Sequence, residues 1–119
     1  EIVFYAVNDT NVLEQLSGLE DLNHFSINSG KITSLKGISK IKGLEFLQIA
    51  SLSHLTDINE LAEMDSLQEL WINTCKYISS WEFLLEMKSL KKLSLFSCGK
   101  IYPSEKILST LKGRGVKVF

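Results

Sequence analysis

The stretch Leu67-Gln68-Glu69-Leu70-Trp71-Ile72-Asn73-Thr74-Cys75 recurs 23 residues later as Leu90-Lys91-Lys92-Leu93-Ser94-Leu95-Phe96-Ser97-Cys98. Both read LxxLxLxxC. A fixed-period repeat decides architecture before local propensity does, because each unit is one supersecondary element that cannot bury its apolar face alone. With the second leucine as register mark, the pattern runs through Val3, Phe25, Leu47, Leu70, Leu93 and Val116, at spacings of 22, 22, 23, 23 and 23. Two residues on stand Tyr5, Ile27, Ile49, Ile72, Leu95 and Val118. This period-two alternation predicts six short strands. Constant spacing and a constant direction of return make them parallel neighbours, stacked at about 4.8 Å per strand.

Between strands the apolar spacing becomes three: Ile32, Leu35, Ile38, Ile41; then Leu55, Ile58, Leu61, Met64; then Ile78, Trp81, Leu84, Met87. A period of three eclipses side chains on a 3₁₀ turn rather than an α-helix, so the returns are expected to be 3₁₀ turns or one to two turns of α. Trp81 holds the column of Leu35 and Ile58 and is expected in the core. Phe83 and Leu85 fall off the pattern: either that return is a true α-turn, or they form an apolar patch on the outer side. Two returns look more α-helical. Residues 11–18 combine Asn11 as N-cap with Glu14 three residues on and Gly18 as a stop. Pro103 can sit at the first helical position before residues 104–111, which Gly113 ends.

These residues resemble the leucine-rich repeat superfamily. Lys31-Ile32-Thr33-Ser34-Leu35 and Leu55-Thr56-Asp57-Ile58-Asn59-Glu60-Leu61 look like the short repeats of internalin-type proteins. Cys75-Lys76-Tyr77-Ile78 and Cys98-Gly99-Lys100-Ile101 look like the cysteine-containing class. The resemblance covers essentially the whole chain. It implies an α/β solenoid with about six short parallel strands on the concave face and 3₁₀ or short α segments on the convex one. Residues 1–119 would form a single domain of about five repeats. The usual work of the family is protein–protein recognition through the inner sheet, and it has no family-wide catalytic residues. Two departures stand out. The Asn/Cys column reads Gly30, Leu52, Cys75, Cys98, so no continuous side-chain ladder can form, and the family's caps are missing at both ends. The chain therefore reads as a piece of a larger protein that lacks an N-terminal cap.

With 119 residues, 45% of them apolar and 23% charged, the chain is long enough for one domain with a real core. No apolar run approaches the ~18–20 residues needed to cross a bilayer, and the first five residues lack the features of a signal peptide. The missing initiator Met points to an upstream leader or domain. Net charge is −1, unevenly placed: residues 1–75 hold eleven acidic and four basic side chains, whereas 88–119 hold one acidic and eight basic. Such asymmetry can mark a binding footprint, although scattered solvated lysines are the simpler account. A nucleic-acid site wants arginine-rich, aromatic-interleaved stripes, and one Arg in the whole chain argues against it.

Chemistry finds little purchase. Cys75 and Cys98 lie one period apart in one inward column, where a disulfide, a metal pair or two buried structural thiols are all conceivable. Neither a second cysteine pair nor histidine in register supports zinc, so structural thiols are expected, and reduced thiols suit a reducing, cytoplasmic setting. The triplet Asn8-Asp9-Thr10 matches a glycosylation sequon and pulls the other way. His24 and Ser26 alternate on one strand about 7 Å apart between Cα atoms, too far for a nucleophile–base pair; His54 falls in a loop. No cofactor or metal is expected, and the protein is not expected to be an enzyme.

The outward strand positions carry the most information. They read Ile2/Phe4/Ala6, His24/Ser26/Asn28, Phe46/Gln48/Ala50, Glu69/Trp71/Asn73, Lys92/Ser94/Phe96 and Gly115/Lys117/Phe119. A face meant only for water would alternate to polar residues; large aromatics among small polar neighbours are the composition of interface hot spots. The expected partner-binding residues are Phe4, His24, Phe46, Gln48, Glu69, Trp71, Asn73, Lys92, Phe96 and Lys117, with Ala50, Ser94 and Ser26 leaving room for a partner. The competing account packs these aromatics against one another. The expectation is a non-catalytic module that binds a protein, not nucleic acid or membrane. The alternative is an immunity or inhibitor protein that occludes a toxin or nuclease, whose basic surface would suit the acidic N-terminal part. Open edge strands at both ends invite pairing with another chain or a second copy.

Overall fold

The computed structural model describes residues 2–7, 13, 16, 19, 21–99 and 102–119; within the first strand only the side chain of Val3 is described. The chain forms an α/β fold around an all-parallel sheet whose strand order follows the sequence, β1-β2-β3-β4-β5-β6. The strands are β1 Ile2–Val7, β2 His24–Gly30, β3 Phe46–Ala50, β4 Glu69–Asn73, β5 Lys92–Phe96 and β6 Lys117–Val118. Each pairs only with its sequence neighbours. From β2 to β5 the register matches the repeat residue for residue: Phe25↔Leu47↔Leu70↔Leu93 and Ile27↔Ile49↔Ile72↔Leu95. Those eight side chains are buried. At the start of each strand one carbonyl takes two successive amides of the next unit. Asn23 O accepts from Glu45 and Phe46, Glu45 O from Gln68 and Glu69, and Gln68 O from Lys91 and Lys92.

The returns behave as their period of three predicts. Three 3₁₀ turns, η1 Ile38–Lys40, η2 Asn59–Glu63 and η3 Glu82–Glu86, stack behind the sheet. In η2 the amides of Leu61 and Met64 donate to the carbonyls of Ile58 and Leu61; in η3 those of Leu84 and Met87 donate to Trp81 and Leu84. The apolar positions are thus the hydrogen-bonded positions, and an i→i+3 ladder brings them onto one buried edge. The units are also tied to each other. Glu60 reaches back one unit, its Oε2 accepting from Gly37 N at 2.7 Å, Ser39 N at 3.0 Å and Ser39 Oγ at 3.0 Å. Gly37 needs its freedom, since it precedes η1 at φ 98°. Ser66 Oγ donates to Leu44 O, and Ser79 Oγ to Thr56 O.

The last return differs. An α-helix, α1 Glu105–Gly113, precedes β6. Its N-cap is Ser104, whose Oγ accepts from Ile107 N at 3.2 Å, so Pro103 stands before the cap and not at the first helical position. Ile107 and Leu111 are buried on its inner side. The expected helix at 11–18 lies outside the described residues apart from Leu13 and Leu16, both buried.

Three expectations are corrected. In β1, Ile2 stands opposite Phe25, Phe4 opposite Ile27, and Val3 opposite Ser26. Val3 is 41% exposed. The strand is therefore one residue out from the expected register, which exchanges its two faces. Ile2 lies 23 residues before Phe25, so the true period is the common one. In β6, Lys117 pairs with Lys92 and Val118 with Leu93. That is two residues from the expected register, because α1 makes a longer return than a 3₁₀ turn; a shift of two keeps the same face but changes every neighbour. Finally, Phe83 is buried and Leu85 packs against the core. The third return is 3₁₀ and no outer patch forms around Phe83. Phe83 stacks near Trp81, ring centroids 6.2 Å apart, and Arg114 at the end of α1 donates from Nη1 to Leu85 O at 2.7 Å.

Candidate functional site

Because β2 to β5 are in strict register, the outward side chains form a grid. One row along the strand starts reads His24, Phe46, Glu69, Lys92, Lys117. The middle row reads Ser26, Gln48, Trp71, Ser94. It continues to Phe119, whose amide donates to Leu93 O and whose carbonyl accepts from Leu95 N. The last row reads Asn28, Ala50, Asn73, Phe96. Nine of the ten expected binding residues lie on this grid. Phe4 does not: its register position is the core column of Ile27, Ile49, Ile72 and Leu95.

The grid divides into two halves. Toward β2 the aromatics touch each other. His24 stacks on Phe46 with ring centroids 3.9 Å apart at 20°, and Phe46 meets Trp71 at 5.9 Å and 47°. Such pairs add about 0.5–1.5 kcal/mol beyond area burial. Here the competing account holds in part: ring stacking leaves His24 and Phe46 half-buried. Ser26 and Ala50 are buried too, each a small side chain between longer neighbours on adjacent strands, so they do not provide open floor. Toward β6 the face opens. Trp71 is 38% exposed, Phe96 67% and Phe119 70%, with half-buried Ser94 among them. An exposed aromatic set beside a polar rim is what marks a surface for a partner.

Charge on the face is sparse. Glu69 and Lys92 are direct cross-strand neighbours and form an ion pair at 3.6 Å. Lys92 also stands directly beside Lys117, and among the described residues no carboxylate is seen to pair with Lys117. A second feature is a cleft of about 510 Å³ near the strand starts, lined by Glu45 and Asp65 together with Lys88, Lys91 and Arg114. The repeat pattern did not announce it, since its charged residues fall outside the apolar columns.

The thiols sit at the other end of the strands. Cys75 and Cys98 are free and buried. Cys75 Sγ donates to Asn73 O at 3.4 Å, and Cys98 Sγ lies 3.4 Å from Ile72 O and 3.7 Å from Phe96 O. Burial pushes the Cys75 thiol up to about 11, with a smaller push from the neighbouring Cys98 and an opposing pull from backbone hydrogen bonds. Burial also raises Cys98. Thiols held protonated are poor nucleophiles and poor metal ligands. Among the described residues no group of three or more His, Cys, Asp or Glu side chains could hold a metal. The exposed pair Ser53 Oγ and His54 Nδ1 approaches to 3.2 Å. These are adjacent residues, a contact that sequence reasoning passed over, and no described third group orients the imidazole as nucleophilic activation requires.

Comparison with protein-family models, with curated proteins and with solved structures finds no match to this chain. Among the described residues no helix is long and apolar enough to cross a membrane.

Proposed function

We propose that this chain is a leucine-rich-repeat-type solenoid acting as a non-catalytic recognition module, which binds a protein partner on the outward face of its parallel sheet. One observation carries the reading. On β2 to β5 every residue of the inward columns is buried, while the opposite face leaves Trp71 and Phe96 open and β6 adds Phe119. An apolar ring left in water has lost the stabilisation of burial, worth about 25 cal/mol per Å²; three of them together on one face form a reserve that a partner can recover. Trp71 is the central anchor, Phe96 and Phe119 flank it, and Phe46 and His24 buttress it from behind. Glu69, Lys92 and Lys117 form the margin and set orientation more than affinity. The buried, protonated thiols suit a reducing compartment such as the cytoplasm.

The test is affinity capture with the wild-type chain beside Trp71→Ala and Phe46→Ala, followed by calorimetric titration of whatever is captured. A partner lost from the variants, with Trp71→Ala weakening it by about 2 kcal/mol or more, supports the face. Unchanged capture by both variants removes it. A second reading has its own observation: the eleven-to-four excess of acidic side chains in residues 1–75 suits an inhibitor that covers a basic enzyme. That reading requires an association rate that falls steeply with ionic strength.

A further inference from the structure

The two-residue shift of β6 creates a feature absent from the regular repeat. In the middle row Ser94 stands between Trp71 on one neighbouring strand and Phe119 on the other. Two strand spacings separate those aromatics, about 10 Å between Cα atoms. A flat group held between two rings, at about 3.5–4 Å from each, needs ring planes about 7–8 Å apart. That backbone spacing is enough for one planar side chain between the two rings above Ser94, with Phe96 on the next row to one side and Lys92 and Lys117 side by side on the row to the other. Like charges directly opposite each other in a sheet repel. Among the described residues the ion pair at this row is Glu69 to Lys92, and the cleft at the strand starts mixes Lys88, Lys91 and Arg114 with Glu45 and Asp65.

We propose that the slot over Ser94, walled by Trp71 and Phe119, receives an aromatic side chain from a partner peptide segment whose neighbouring residues are acidic. This rests on the strand face being the binding surface. The aromatic ring fills the space between the two rings, and a carboxylate beside it supplies a counter-charge for Lys117, next to the Lys92–Glu69 ion pair. Charge complementarity excludes a basic segment, and the spacing excludes a purely aliphatic anchor of comparable fit, because flat rings on both sides favour a flat guest.

The test uses the full chain, ¹⁵N-labelled, titrated with a short capped peptide that has a central phenylalanine flanked by aspartates. Two controls replace the aspartates by lysines or the phenylalanine by alanine. The amides of Ser94 and Lys117 and the Trp71 indole should shift saturably with the acidic aromatic peptide, and each control should bind about fivefold more weakly or worse. Ser94→Leu fills the floor from the outward face, so the core resonances stay in place while affinity drops about tenfold or more. Lys92→Gln combined with Lys117→Gln should remove the preference for aspartate over lysine peptides. Equal binding of both peptides, indifference to Ser94→Leu, or no shift at millimolar peptide overturns the proposal. So do shifts of the same resonances on raising protein concentration alone, which would assign the slot to a second copy, or with inorganic phosphate in place of peptide. The two levels separate cleanly. A natural partner that depends on Trp71 and Phe46 but tolerates Ser94→Leu sinks the slot and leaves the face; one that ignores Trp71 and Phe46 sinks the face.

Discussion

Cys75 offers the sharpest quantitative test of the packing. Its thiol is fully buried, and its pKa rises from 9.0 to about 11, chiefly through burial. In the unfolded chain the thiol ionises near the ordinary value. Between the two values the folded state therefore holds a proton that the unfolded state has released, and stability falls as pH rises. The contribution is fully present below pH 9 and is lost as pH climbs through 11. Worked through the linkage relation, Cys75 alone removes about 1 kcal/mol between pH 8 and pH 10, and about 3 kcal/mol once both states have ionised. Lysines and tyrosines also titrate there, so the useful quantity is a difference. Urea unfolding of the wild type and of Cys75→Ala is measured at pH 8 and pH 10, and the wild type should lose about 1 kcal/mol more than the variant. The absolute cost of the substitution cancels, which matters because removing a buried sulfur also leaves a small void. Parallel pH profiles would mean that the thiolate is tolerated in the fold, and that the Cys75 site is far wetter than the packing implies.

Three other expectations follow from the geometry. Glu60→Ala leaves three half-buried donors of the preceding turn without their carboxylate and should cost about 1–3 kcal/mol in urea unfolding, with Glu60→Gln retaining part of it; no change would show that solvent replaces the tie. Leu70→Ala, in the core column, should cost about 2–5 kcal/mol, whereas Trp71→Ala should cost about 1 kcal/mol, the worth of its contact with Phe46; the reverse order would invert the sheet. Thr74 leaves β4 at φ 54°, a left-handed conformation poorly suited to a β-branched residue, so Thr74→Gly should raise stability by about 1 kcal/mol; a loss would mean that the exposed hydroxyl or methyl is holding the turn.

How far the fold could be read from residues depends on where the repeat constrains parity. In β2 to β5 the inward columns repeat from unit to unit, and each strand has a polar residue between them or beside them. Ser26 and Ile27, Leu47 and Gln48, or Leu93 and Ser94 therefore have only one sensible side, and the all-parallel order and the 3₁₀ returns follow from one period. In β1 the run Ile2-Val3-Phe4-Tyr5 is apolar at both parities. Nothing there breaks the tie, and Val3 and Phe4 changed places. Residues outside the periodic columns were equally opaque: Phe83 is buried because α1 and Trp81 cover it, and Glu60 caps a turn one unit back, both long-range facts that no local pattern encodes. At the face, parity told which side Trp71 and Phe46 occupy but not that their rings would meet.

The β6 shift shows most clearly why the surface escaped a periodic reading. Val116 and Val118 have the same parity, so moving β6 by two residues keeps a valine on the inward side in either register; in the observed one Val116 is buried and Val118 packs against the core. The hydrophobic effect is indifferent between the two registers, and the choice falls to the length of the α1 return and its end at Gly115, where φ is 91°. On the outer face the two registers are not equivalent. The regular one would put Lys117 beside Ser94 and Phe119 beside Phe96, closing the gap with a cation and pairing two rings. The observed one puts two lysines together and sets Ser94 between Trp71 and Phe119. Selection for core packing alone cannot explain that outcome, since it is neutral for the core and places two like charges side by side. A counter-charged guest in the slot offsets that repulsion, and this is the strongest reason to look for its partner at the β6 end of the sheet.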